Sequence, residues 1–480
     1  MKRRRALLLS SLVLVASPCV TSQTATATAA SEPGTASTQP PDIVIILTDD
    51  QRAGTHRAMP FTRRFFSSPT AVDYVNTQIP TNVCCPSRVA FLTGKYPTDT
   101  HAWDQRGSFG GARAIAAREK TTMPARLHDV GYRTGLFGKY VNGYGSTART
   151  KSATPFGWDR FHTYTGRRGS NYYGPIRGLP RGYTTDTLGQ AASRFVATTP
   201  QDQPLFAYYA PFGPHAPYDA GPYRDAAGPH LQQVAARGGR LFNPSFNSVT
   251  AGQPQWLHSL PAVSRDKQRR IAHKQAGALM GVDANVARIA GAIERHRDLS
   301  NTLFIYMSDN GYGWGDHRLP AKRSPYVTTN EVPLLVRYPD DQRPPSPGQD
   351  SRLANNVDVT ATILTAAGLP NESAGVPLTS TQRRTVLPLM AAPTVGTKAR
   401  HIPRPAYCGV RTRSWFYLQY GSGEEELYDL TADPWQLRNL AANPPASANI
   451  ASLRGLTTAT GCDVDYLQNV VGPQLRESNE

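Results

Sequence analysis

Past its first residues the chain has no block of lysine and arginine, no helix–turn–helix pattern and no finger spacing. Those absences remove the recognition elements that nucleic-acid binding would need. There is no second long apolar run, so no membrane anchor is expected once a leader has been removed. There is no internal repeat. Cysteine is scarce, with Cys19, Cys84, Cys85, Cys408 and Cys462 in 480 residues. No cluster of histidines and cysteines accompanies the acidic residues described below, which argues against zinc.

What is present is a globular composition, 39% hydrophobic and 18% charged, at a length that suits one large domain plus a smaller one. Lys2, Arg3, Arg4 and Arg5 precede ALLLSSLVLVA, which reads as a secretory signal too short to span a membrane. A small-residue cleavage site lies near Ala29-Ala30, and the arginines match a twin-arginine signal loosely. We assign residues 1–30 to the signal and 31–40 to a flexible leader, and expect a secreted or extracytoplasmic protein. Removal of the signal takes off four positive charges and no acids, so the formal charge of +17 falls to +13. A basic surface attracts polyanions; without nucleic-acid elements, a sulfated or acidic polysaccharide stands as one candidate, beside a basic secreted protein whose charge has no binding role. In an oxidising compartment Cys408 and Cys462 are expected to pair.

Ile43 to Leu47 is a continuous apolar run, the pattern of a strand buried on both faces. Similar runs recur at Tyr132 to Phe137, Leu205 to Tyr209 and Leu303 to Met307. Between Arg265 and Arg295, Leu279, Val282, Val286, Ile289 and Ile293 recur at helical spacing. A further helix is predicted from Val357 to Ala367, stopped by Gly368 and Pro370. The alternation predicts an α/β fold: a large, mostly parallel sheet covered by helices on both faces, over residues 41–375. Residues 371 to 400 read as a connection. Trp415 to Tyr420 and Glu426 to Leu430 read as strands joined at Gly421-Ser422-Gly423. Residues 376–480 are therefore expected to form a small α+β subdomain with an antiparallel sheet.

The predicted strands end in chemistry. Asp49 and Asp50 follow the first, Lys139 the second, His215 the third, and Asp309 and Asn310 the fourth. Taken singly, each reads as a turn, a cap, a loop residue or a surface lysine. Together they lie at the carboxyl ends of strands, where open α/β sheets bind ligands. Three carboxylates and an amide oxygen make a hard-oxygen set, suited to Ca²⁺ or Mg²⁺. A divalent ion beside lysines suits a sulfate or phosphate ester. In TNVCCPSRVAFLTG, Pro86 suits the first position of a helix, and Cys84 then sits at an N-terminus that favours anions. Arg88, one turn on, can face the same way.

Cys84, Pro86, Ser87 and Arg88, followed by Leu92-Thr93-Gly94, resemble the signature of the formylglycine-dependent sulfatases, in the alkaline phosphatase-like superfamily. LTDDQ, SDNGYGWGDHRLPAKR and ELYDLTADPWQLRNLA resemble further segments of that family, so the likeness spans about residues 41 to 470. The resemblance implies conversion of Cys84 to formylglycine by a formylglycine-generating enzyme, with Cys85 in a variable slot. It implies a calcium ion, before magnesium, held by Asp49, Asp50, Asp309, Asn310 and the modified Cys84. It implies that Arg88 stabilises the formylglycine hydrate, that Lys139 and Lys322 clamp sulfate, that His215 protonates the leaving alcohol, and that His317 matches a family histidine at the substrate. The chain departs from many members in reading Gly-Lys-Tyr-Val-Asn, so that Val141 stands where they carry a histidine; either another group such as Asn142 or His317 replaces it, or the step it serves differs. The Gly-Lys-Tyr-x-Asn form and the segment around His215 resemble the branch acting on N-acetylglucosamine 6-sulfate in glycosaminoglycans. The implied substrate is a sulfated small molecule or glycan. The alternatives are a formylglycine-type phosphodiesterase or phosphonate hydrolase, and a sulfated-glycan binding protein with unconverted Cys84. Substrate choice is expected to rest on loops such as Gly166 to Tyr183 and Gly221 to Gln253.

Overall fold

Alternate residues of the first strand serve two different cores. Ile43, Ile45 and Leu47 pack with Val89, Phe91 and Leu92. Val44 and Ile46 pack with Leu188, Phe195, Leu279, Val286 and Ile293 on the other side. A strand apolar at every position does this because its side chains alternate between faces. The computed structural model describes residues 39–144, 154–165, 171–225, 241–342, 347–394 and 403–477. The expected signal and most of the leader lie outside these, as do parts of the two loops named above and of the 371–400 connection.

The strands in chain order are β1 (Asp42–Thr48), β2 (Ala71–Thr77), β3 (Arg133–Gly138), β4 (Arg160–Thr163), β5 (Leu205–Ala210), β6 (Thr302–Ser308), β7 (Gly313–Asp316), β8 (Leu319–Ala321), β9 (Leu334–Arg337), β10 (Gly348–Ala354), β11 (Leu387–Ala391), β12 (Tyr407–Arg411), β13 (Trp415–Tyr420) and β14 (Glu425–Asp429). The large sheet runs β10-β2-β9-β6-β1-β5-β3-β4. Only β9 runs against its neighbours, β2 and β6; the other pairings are parallel. The sheet is therefore mixed but mostly parallel, as expected. The four strands whose ends carry the acidic, lysine and histidine residues are consecutive neighbours, in the order β6-β1-β5-β3. Parallel pairing puts all four carboxyl ends on one edge.

Helices Thr184–Thr198 and Arg265–His296 cover one face. Helices Cys84–Thr93 and Asn356–Ala366 lie with the other core. The latter two are tied together where Asn356 Nδ2 donates to the Ser87 carbonyl at 2.9 Å and Thr360 Oγ1 to the Phe91 carbonyl. The Cys84–Thr93 helix starts two residues before the position inferred from Pro86. Proline tolerates any of the first turns' donor-free positions, since those N–H groups lack intrahelical partners.

The C-terminal sheet is antiparallel in the order β11-β12-β13-β14. Its first strand, β11, lies inside the stretch expected to be a connection. The sheet is fastened close to the Cys84 helix. Met390 N donates to the Pro80 carbonyl at 3.0 Å, and Thr81 Oγ1 donates to the Met390 carbonyl at 2.9 Å. Cys408 and Cys462 form a disulfide with Cα atoms 5.8 Å apart, as expected. No helix among the described residues is long and apolar enough to cross a membrane.

Candidate active site

Each site residue is delivered by a strand end or a helix start. Register sets the first group: Thr48 pairs with Ser308, so Asp49 and Asp309 leave the sheet side by side, and Asp309 N donates to the Thr48 carbonyl at 3.0 Å. Asp50 N donates to Asp309 Oδ1 at 3.2 Å, and Asn310 Nδ2 donates to Asp50 Oδ1 at 2.7 Å. Asn310 Oδ1 is buried without a hydrogen-bond donor. On the far side of β5, Gly138 pairs with Ala210 and Lys139 N donates to the Ala210 carbonyl at 2.8 Å. Lys139 Nζ reaches Asp49 Oδ2 and stands 4.0 Å from Asp309 Oδ2.

The helix contributes Cys84 and Arg88 one turn apart. Cys84 Sγ lies 3.4 Å from Asp49 Oδ1 and 3.8 Å from Asp50 Oδ1. Arg88 is fully buried; its Nε donates to Asp309 Oδ2 at 2.7 Å and its Nη1 to the Lys139 carbonyl at 2.8 Å. Lys322, just past β8, places Nζ 2.7 Å from both Asp50 Oδ1 and Cys84 Sγ. His215 Nε2 lies 3.5 Å from Asp50 Oδ2, while its Nδ1 is 2.7 Å from the Ala216 carbonyl and so donates to it.

The electrostatics follow from burial and pairing. Burial pushes the Asp49 carboxyl up, but Lys139, with His215, Lys322 and Arg88, overrides it and holds Asp49 well below the carboxylate range. Burial likewise raises Asp50, and Lys322 and His215 override it, leaving Asp50 lowered. Asp309 goes the other way: burial and the neighbouring Asp49 raise it despite Arg88. Burial and Asp49 together push the Cys84 thiol up against the pull of Lys139 and Lys322, so the unmodified cysteine is a thiol and a poor nucleophile.

The ligand atoms of Asp49, Asp50, Cys84 and His215 all lie within 4.8 Å of one another, a group able to hold a metal ion. The carboxylate and amide oxygens suit a hard divalent cation, while Cys84 and His215 place a sulfur and a nitrogen beside the acids, a grouping that sequence spacing alone does not reveal. Asp49 and Asp50 offer carboxylate oxygens, and Asn310 Oδ1 is an acceptor with nothing to accept. Three carboxylates, Asp49, Asp50 and Asp309, face three fixed cations, Arg88, Lys139 and Lys322, so the pocket is balanced by itself. A divalent ion makes it net positive, which suits an anionic ester.

The structure thus brings together Asp49, Asp50, Cys84, Arg88, Lys139, His215, Asp309, Asn310 and Lys322. His317 stands apart in its bonding. Its ring is buried, stacked on Tyr326 at 3.9 Å between centroids, with Nδ1 3.1 Å from Gln253 Nε2 and Nε2 3.1 Å from the Trp435 carbonyl. Burial lowers its pKa to about 4, so it is neutral near pH 7. Val141 is buried in the core. Asn142 turns to the neighbouring cysteine: its N–H meets Cys85 Sγ at 3.0 Å and its amide donates to Gln105 Oε1 at 2.9 Å. Gln105 in turn accepts from Cys85 N at 3.3 Å. The sequence pattern does not single out Tyr312 and Tyr218, whose hydroxyls pair at 2.6 Å and whose pKa values are raised, by burial first and by the nearby Asp50 carboxylate in the same direction. Tyr312 lies two residues beyond Asn310, which was the available signal.

A family model described as Sulfatase matches residues 41–369, and one described as N-sulphoglucosamine sulphohydrolase, C-terminal, matches residues 315–458. The human N-acetylglucosamine-6-sulfatase is 29% identical, over 85% of this chain and 82% of that protein. The Bos taurus N-acetylglucosamine-6-sulfatase is 30% identical, over 77% and 74%. A solved protein in complex with its substrate D-glucosamine-2-N,6-O-disulfate superposes with a TM-score of 0.71 at 19% identity, covering 88% of this chain and 97% of that one. The phosphonate monoester hydrolase of Agrobacterium radiobacter shares the fold at a TM-score of 0.66 and 17% identity, over 88% and 95%.

Proposed function

The chain belongs to the sulfatase family and hydrolyses sulfuric esters, and from that premise we propose that its ester is a 6-sulfated glucosamine unit of a sulfated glycan, cleaved with a formylglycine at position 84 and a calcium ion. The observation that carries this reading is the convergence of Cys84 with two carboxylates, two lysines and His215 on one buried point. The glucosamine 6-sulfate assignment is supported by the names of the relatives over most of the chain.

The roles follow from the contacts. Asp49, Asp50 and Asn310 would hold calcium, with Asp309 at their side anchored by Arg88. The ion would lower the pKa of a coordinated hydroxyl and offset charge at the sulfuryl group. A formylglycine hydrate supplies two hydroxyls on one carbon, one to attack sulfur and one to drive sulfate release, which neither cysteine nor serine has. Lys322 and Lys139 already donate to the Cys84 and Asp49 atoms, so their ammonium groups meet the sulfuryl oxygens as charge grows on them. Arg88 fixes the Lys139 backbone from behind. His215 holds Nδ1–H on the Ala216 carbonyl, so Nε2 carries a proton when the ring is cationic and can pass it to the departing oxygen. We take residues 41–375 as the catalytic part and 376–480 as the C-terminal subdomain, and place the protein outside the cytoplasm after export. Its partners are then the sulfated substrate and, in maturation, a formylglycine-generating enzyme.

The test is peptide mass spectrometry across Cys84 in protein from its native host, paired with sulfate release from N-acetylglucosamine 6-sulfate. An aldehyde or hydrate at position 84 and loss of release in Cys84→Ala, with the melting temperature retained, are expected. An intact thiol in active protein removes the formylglycine role. Faster cleavage of a phosphonate monoester than of any sulfate ester reassigns the substrate.

A further inference from the structure

Lys322 sits in a segment that backbone preference does not favour. His317, Arg318, Ala321 and Arg323 all have positive φ, at 50°, 62°, 71° and 71°. Non-glycine residues rarely stay there unless their surroundings hold them. Here the holding groups come largely from the C-terminal part of the chain. Arg404 Nε donates to the Arg323 carbonyl at 3.1 Å. Val327 N donates to Gln436 Oε1 at 2.8 Å. His317 lies between Gln253 and the Trp435 carbonyl, with its ring on Tyr326. The Tyr326 hydroxyl donates to Glu426 Oε1 at 2.8 Å. Glu426 is fully buried on β14 and also accepts from Tyr428 at 2.5 Å and Tyr420 at 2.6 Å. A carboxylate sunk among three tyrosine hydroxyls is an expensive arrangement for an ordinary core, and it lies behind the one segment that carries Lys322 to the Cys84 sulfur.

We infer that Tyr326, Glu426 and His317 are positioning residues for Lys322, so that the C-terminal sheet is a working part of the active site. None of the three is bonded to Cys84, Asp49 or Asp50; they act by fixing where the Lys322 ammonium meets the substrate. This assigns His317 a place behind the site instead of at the substrate. The inference rests on the sulfate-clamping role of Lys322 proposed above.

A double-mutant cycle tests it, with kcat/KM on an aryl sulfate and the Kd of inorganic sulfate as separate readouts. Tyr326→Phe keeps the ring and the fold, which the melting temperature verifies. It is expected to lower kcat/KM about 10- to 100-fold, the scale of a misplacement near 1 Å, and to weaken sulfate binding. In the Lys322→Ala background the same substitution should change either quantity less than about twofold, because residues acting through one another do not add. Glu426→Gln is expected to behave likewise. Equal losses with and without Lys322 overturn the brace and leave the sulfatase reading in place. Sulfate binding that is untouched by Tyr326→Phe also overturns it. Full activity in Lys322→Ala overturns the brace together with the clamping role, while the Cys84 test stands separately.

Discussion

At the scale of the residue, one buried acceptor without a donor is informative because it lies at the site. Asn310 Oδ1 is buried beside Asp50 with nothing bonded to it, although buried polar atoms are nearly always paired. A cation explains both it and the neighbouring carboxylates. Asn310→Leu should therefore reduce calcium content measured on the purified protein to well below one ion per chain, and unchanged content would take Asn310 out of the ligand set. Residues at this scale were legible where a strand end or a helix turn fixed them in sequence. Asp49, Asp50, Asp309, Asn310, Cys84 and Arg88 belong to that class. Pairings made by distant loops were not legible. Tyr218 and Tyr312 meet across 94 residues of sequence, and no local pattern announces such a contact.

At the scale of the element, the site depends on how tightly two strands can run. Gly138 has φ 133°, and a Cβ there would stand 1.9 Å from the Ala210 carbonyl oxygen. No L side chain can be fitted without moving β3 off β5, and Lys139 is the next residue. Gly138→Ala is expected to lower the melting temperature by several degrees, as strained substitutions costing ~2 kcal/mol do. It should also reduce kcat/KM at least about tenfold. A variant with normal kcat/KM would show that Lys139 does not need that register. Strands buried on both faces and the long amphipathic helix were readable from apolar runs and 3.6-residue spacing. β2, β4 and β7 to β12 were not. β10, with the sequence GQDSRLA, is largely polar and half exposed, and β9 is four residues long. What makes them strands is pairing with neighbours far away in sequence, a tertiary cause that local preference does not encode.

At the scale of the whole molecule, one covalent link ties the C-terminal sheet to the helical segment that follows it, and weaker contacts tie the sheet to the catalytic core. Cys408 and Cys462 close a loop across a separation of 54 residues. On chain-entropy grounds their bridge contributes about 4 kcal/mol. The double substitution to alanine should therefore move the urea midpoint down sharply, and because that sheet braces Lys322, activity should fall at temperatures where the rest of the protein is still folded. Coincident loss of activity and of global structure at every temperature would show that the sheet has no separate role in keeping the site in order. The broad architecture at this scale was legible in the order of apolar runs. The dependence of the site on the last hundred residues was not, because it is written in single contacts of Glu426, Gln436 and Arg404.

The fastening of Met390 to Pro80 and Thr81 has a consequence in time. Thr81 and Met390 are 309 residues apart. At ~5–20 residues per second of synthesis, the second arrives roughly 15–60 s after the first. Throughout that interval Cys84, three residues beyond Thr81, belongs to a chain whose anchor has not yet been made. In the finished protein that residue is buried at the bottom of the site, within reach of a small ester group but not of a second folded protein. Chemistry performed on that sulfur by another macromolecule therefore has a deadline, set by the arrival of the last fifth of the chain.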